Sequence, residues 1–118
     1  MTYHIALSSS DGEAVYQHFG KTRTFHIFSL DDTGYAFIEK RNVEQCCNSG
    51  EHEVSAFDNV LAVLSDCDAV VVGKIGPGAS DYLTDKGMKI FVTQGYINDV
   101  MEELHRNQSQ YFPSEDKV

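Results

Sequence analysis

The chain has 118 residues, 42% of them hydrophobic, and a formal net charge of −9 at pH 7. That length holds one domain with one core, and that apolar fraction excludes an extended disordered chain. The negative excess repels nucleic-acid phosphates and anionic lipid, so the expected partners include no nucleic acid and no membrane.

Met1 to Ser10 has no basic stretch followed by a long apolar run, so no secretion signal is read there. The longest apolar run, Ala69-Val70-Val71-Val72, is far too short to span a bilayer, and a cytoplasmic location is the expectation. His4 to Ser8 is the first predicted strand, ended by the polar turn Ser9-Ser10-Asp11-Gly12. Residues 13 to 24 read as a loop with room for one helical turn. Phe25 to Leu30 alternates and is rich in aromatics, which predicts a strand. Asp31-Asp32-Thr33-Gly34 is a tight turn, and Tyr35 to Val43 returns as the hairpin partner.

Glu44 to Gly50 is a loop that holds two adjacent cysteines. Val54, Phe57, Leu61 and Leu64 then recur at intervals of three and four, which predicts a helix from about Glu51 to Ser65 with Asn48 as its cap. Ala69 to Ile75 is apolar and β-branched, as a central strand covered on both faces requires. Gly76-Pro77-Gly78 breaks that strand and leads into a helix over about Ala79 to Lys86, ended by Gly87. Lys89 to Thr93 is the next strand, and Ile97, Met101 and Leu104 mark one face of a last helix near Asn98 to Arg106. Residues 1–106 thus form one domain, and the polar run 107–118 is expected to be a frayed tail. The unit from Ala69 to Thr93 is a right-handed parallel crossover, so the fold class is α/β: a mixed five-stranded sheet flanked by helices.

The stretch from Tyr16 to Phe25 carries the clearest chemical signal. His18 precedes Gly20, and Lys21 and Arg23 follow within an otherwise acidic chain. Imidazole is a common transition-metal ligand, and lysine and arginine favour anions. The alternative for His18 is a surface histidine beside a core plug, Phe19. Lys74, at the end of an apolar strand and beside Gly76-Pro77-Gly78, either points into a site or snorkels to solvent.

The cysteines are Cys46, Cys47 and Cys67, an odd number without a secretion signal, which points to reduced thiols. Cys46 and Cys47 lie near His52, and thiolates are soft ligands for iron, copper or zinc. A cluster built and held by one chain wants about four thiolates, more than this chain offers, so docking of a preformed cluster fits better. Cys67 is expected to be buried at the start of the central strand as a small core hydrophobe. A nucleophile–base pair of Cys46 with His18 or His52 lacks an assignable third residue, so catalysis is the weaker reading.

Tyr3 to Gly12, Gln17-His18-Phe19-Gly20, Gly50-Glu51-His52 and Cys67 to Ala79 together resemble the dinitrogenase iron–molybdenum cofactor biosynthesis domain, the NifX type also found at the C-terminus of NifB and in NafY. The resemblance covers residues 3 to 105 in order. It implies a ribonuclease H-like three-layer sandwich that binds and carries a cargo without turnover. The implied cargo is an iron–sulfur or iron–molybdenum–sulfur cluster, with His18 as a cluster ligand. Cys46 and Cys47 lie where relatives vary and receive no role from the resemblance. From the residues themselves they are candidate metal ligands, while His52, Lys21, Arg23 and Lys74 are candidate cluster contacts. The radical-chemistry motif Cys-x-x-x-Cys-x-x-Cys of longer relatives is absent from this sequence, so a bare binding module is expected. Its expected partners are metallocofactor assembly or recipient proteins, and its expected state is a monomer or weak homodimer. Rival readings are a metal-free regulatory or protein-interaction module and a small thiol enzyme.

Overall fold

A computed structural model describes residues 2–16, 18–19, 22–43 and 60–112. The elements run β1 (Tyr3–Ser8), β2 (Ala14–Val15), β3 (Thr24–Asp31), β4 (Gly34–Asn42), β5 (Ala69–Val72), α1 (Pro77–Asp85), β6 (Lys89–Val92), β7 (Gly95–Tyr96), α2 (Ile97–Arg106) and α3 (Gln108–Tyr111). Residues 60–63 form a further helical turn.

Five strands form a sheet in the order β4-β3-β1-β5-β6. β3 is antiparallel to β1 and β4, whereas β1, β5 and β6 run parallel. The mixed five-stranded sheet is as the sequence predicts. The hairpin turn is also as predicted. The Asp31 carboxylate accepts from the Thr33 amide (2.9 Å) and hydroxyl (2.7 Å), and Gly34 sits at φ 147°.

Alternation along the strands divides the core between two faces. Ala6, Phe25, Ile27, Val70 and Val72 pack with Val60, Leu64, Ala79 and Leu83 on one side. Ile5, Leu7, Phe28, Leu30 and Val71 pack with Ile97, Met101 and Leu104 on the other. The sheet therefore lies between two helical layers, and β1 is buried from both.

Several boundaries differ from the sequence expectation, each for a physical reason. The predicted loop 13–24 contains β2, which pairs antiparallel with β7. Its two residues are too few to show a period. The central strand ends at Val72 rather than Ile75, because Lys74 leaves the ladder to bridge His18. Of the helix expected over 51–65, the described residues include only its last part, where Val60 and Leu64 are buried. Val54 and Phe57 lie outside the described residues.

Cys67 is half-buried, not fully buried, and precedes β5. Burial, and then the neighbouring Asp66 carboxylate, push its thiol up to about 12, which makes it a protonated, inert group at neutral pH. Beside it, the Arg41 guanidinium grips Asp66 through two bonds (2.6 and 3.0 Å) and donates to the Val63 carbonyl (2.8 Å). The pairing holds the Asp66 carboxyl down at about 2.

The frayed tail is corrected as far as Phe112. Residues 108–111 are helical, and Phe112 is 5% exposed. Its ring stacks on Tyr3 (4.4 Å) and meets Phe91 edge-on (6.0 Å), while Gln108 Nε2 donates to the Asp31 carbonyl (2.9 Å). One buried aromatic outweighs the polar composition around it. Phe112→Ala is expected to lower the unfolding free energy by about 3 kcal/mol, measured by urea titration.

Candidate functional site

The carboxyl ends of the parallel strands β1 and β5 and the amino end of β3 share one rim of the sheet, where open α/β sheets bind ligands. The His18 segment crosses this rim. His18 makes an isolated parallel bridge to Lys74, and the Phe19 amide donates to the Lys74 carbonyl at 2.7 Å. Phe19 is 3% exposed and packs against Phe25 at 6.5 Å between ring centroids. Neighbouring residues thus point opposite ways: the phenyl ring enters the core and the imidazole stays exposed. Phe19 is the core plug that the sequence predicts, and His18 is exposed beside it.

Beneath it lies a polar pin that the sequence analysis missed. Thr22 Oγ1 donates to the His18 carbonyl (3.0 Å) and lies 2.7 Å from Ser8 Oγ, so the Ser8 hydroxyl donates to Thr22. Both residues are essentially inaccessible to water. The available signal was Ser8, a hydroxyl that ends the apolar run Ile5-Ala6-Leu7. Inside a low-dielectric core such a chain of donors fixes the backbone it serves.

Lys74 is exposed beside the bridge, and Arg23 is exposed next to Thr22. Two residues beyond Lys74, Gly76 caps α1 without any side-chain hydrogen bond, and Pro77 opens the helix. A Cβ placed on Gly76 or Gly78 would meet nothing within 4 Å, so the approach to this positive helix end is open. His18, Lys74 and the start of α1 are therefore brought together, with Arg23 on the same rim. The Val43 amide donates to the Arg23 carbonyl (2.8 Å), so β4 also ends here. Lys21, Cys46, Cys47 and His52 lie outside the described residues. Among the described residues, no group of three or more His, Cys, Asp or Glu side chains is placed to hold a metal ion. The arrangement offers one nitrogen ligand with cations and backbone amides around it, which suits a preformed anion better than a bare divalent ion.

The adjoining turn is rigid. Asp11 Oδ1 accepts from the Glu13 (2.9 Å) and Ala14 (3.3 Å) amides, and these bonds keep its carboxyl below the usual range. Gly12 has φ 78°, and a Cβ there would lie 2.9 Å from His26 Nε2. His26 is 7% exposed, and among the described residues its Nδ1 has no hydrogen-bond partner. Burial, with help from Lys40, lowers its pKa from the ordinary 6.5, while Asp11 and the Ser9 backbone pull the other way.

A model of the family described as dinitrogenase iron-molybdenum cofactor matches residues 1–107. The chain belongs to that family. It is 28% identical over 113 residues to the FeMo cofactor biosynthesis protein NifB of Sinorhizobium fredii, covering 94% of this chain and 23% of that protein. It is 30% identical over 122 residues to NifB of Herbaspirillum seropedicae, covering 95% and 23%. The chain thus spans about a quarter of the length of these curated relatives. The crystal structure of PH0822 matches with a TM-score of 0.69 at 20% identity, covering 88% of this chain and 90% of that one, which shows the shared fold. Phe112 lies beyond the residues that the family model matches. No helix among the described residues is long and apolar enough to cross a membrane.

Two outcomes follow from this geometry. Thr22→Val leaves Ser8 and the His18 carbonyl without their buried partner and is expected to cost about 2 kcal/mol in urea unfolding. The His26 contribution to stability is present above its ordinary pKa of 6.5 and is lost as pH falls through its lower folded value. Urea midpoints are expected to drop as pH falls below the ordinary histidine value of 6.5, and His26→Leu to flatten that drop.

Proposed function

We propose that this protein binds and carries a preformed anionic iron–sulfur or iron–molybdenum–sulfur cluster during assembly of the nitrogenase cofactor, without turning it over. The observation that carries the reading is the exposed His18 imidazole, fixed by the buried Phe19 beside Lys74 and the uncapped start of α1. In it, His18 bonds a metal of the cargo. Lys74, Arg23 and Lys21 offset the cluster's negative charge, and the amides of Gly78 and Ala79 in the first turn of α1 face its sulfides. Cys46 and Cys47 follow Val43, whose amide bonds the carbonyl of the site's own Arg23, and they are the proposed source of a second ligand, with His52 as a further cluster contact. Few protein ligands keep release easy, as delivery from an assembly protein to a recipient requires.

The sheet order, with β3 alone antiparallel to the shared direction of the other four strands, supports assigning the ribonuclease H-like architecture to this carrier. The family membership supports cofactor assembly as the setting.

The test is anaerobic loading of the full chain with iron, molybdate and sulfide, followed by gel filtration, visible absorbance and elemental analysis. His18→Ala is expected to weaken retention of the cluster by about tenfold or more. Lys74→Ala is expected to weaken it less, by a factor that shrinks as salt is raised. Retention unchanged in His18→Ala removes His18 from the site.

A further inference from the structure

The two edges of the sheet are built differently. β4 carries a bulge, with Ile27 opposite Glu39 and Phe28 opposite Phe37, so that Ile38 is the extra residue. The charged run Glu39, Lys40 and Arg41 follows it. Bulges and charges of this kind guard an edge against pairing. The β6 edge has neither, and its one charge is Lys89 at the start of the strand.

The hydrogen bonds of β6 settle which groups face outward. The Lys89 amide donates to Asp68 (3.3 Å) and the Thr93 amide to Val72 (2.9 Å), so odd-numbered residues turn toward β5. By alternation, Ile90 and Val92 turn their N–H and C=O groups to the outer edge, which no other described strand pairs with. The Val92 side chain is 57% exposed. On the α2 side of the edge lies a groove of about 570 Å³ lined by Phe91, Thr93, Asp99, Val100, Glu103 and Tyr111. Its walls mix apolar Phe91 and Val100 with polar Thr93 and Tyr111, and it carries two carboxylates, Asp99 and Glu103, the second of which accepts from Tyr111 and Asn107 (3.1 Å each).

We propose that this edge pairs antiparallel with β6 of a second copy of the chain, about a two-fold axis through Phe91. In that register Ile90 lies opposite the second copy's Val92, and the reverse. Both residues present outward groups, so each pair exchanges two backbone hydrogen bonds. Lys89 shares the face of Phe91, the α2 side, and falls opposite the second copy's Thr93. Each protomer thus delivers one ammonium to the carboxylate-lined groove of the other, twice by symmetry. A basic strand from another protein would also meet Asp99 and Glu103, but it would set like charge against Lys89. The chain's own β6, with one lysine at its start and neutral residues after it, satisfies both ends. The axis reverses strand direction, so the two His18 rims point to opposite ends and stay open.

Sedimentation velocity on the full chain tests this, over about 5 to 300 µM protein in about 0.15 M salt, where long-range repulsion between acidic protomers is screened. The wild-type chain is expected to move from monomer to dimer across that range. Val92→Pro removes an N–H that the protomer does not use, and is expected to be monomeric throughout with an unchanged far-UV circular dichroism spectrum. Lys89→Glu, an exposed change that leaves the fold alone, is expected to weaken the dimer by about tenfold. The double variant Lys89→Glu with Asp99→Lys is expected to recover it. A wild-type chain that stays monomeric throughout overturns the proposal, as does a Lys89→Glu variant that dimerises as tightly as wild type.

Discussion

The site depends on one buried ring. Phe19 occupies the core beside Phe25, and everything presented at the rim follows from that anchorage. With the ring inside, the preceding residue has to point out, and the backbone between them closes onto Lys74. The loop gains its precision from the hydrophobic effect, a non-directional force, converted into direction by the alternation of the chain. The hydroxyls of Thr22 and Ser8 then remove the remaining freedom.

Electrostatics work locally against the total. The chain carries 18 acidic residues against nine lysines and arginines. Yet the rim gathers Arg23, Lys74 and the amino end of α1 around the His18 imidazole. On the proposed reading, an anionic cargo is repelled by most of the surface and attracted to this rim. Such contrast gives selectivity for entry without demanding tight binding, because solvent-exposed cations are individually weak and screened.

Much of this was legible in the sequence because the signals were periodic or punctuated. The Ala69–Val72 run, the Asp31–Gly34 turn and the Gly-Pro-Gly break each report a local constraint, and each element sits close to its expected place. The pairing of β2 with β7 joins residues some eighty positions apart through two-residue strands, and no local pattern encodes it. Phe112 was hidden by polar neighbours, since composition averages over the single residue that decides docking. At the site, His18 and Lys74 were legible as residue types, but their backbone bridge was not, because it depends on where Val72 leaves the ladder. The His26 Nδ1, without a hydrogen-bond partner among the described residues, was equally invisible, since burial is a property of the packed fold.

The fork between Arg41 and the Val63–Asp66 stretch has a consequence for how this scaffold diversifies. It rivets the chain just before residue 44 to the chain just after residue 59, so both ends of that stretch are fixed by bonds lying outside it. The thiols and the imidazole encoded between those two anchors can therefore change by substitution without removing any bond that Arg41 makes, so the anchorage of the sheet edge and the chemistry encoded beside it are under separate control.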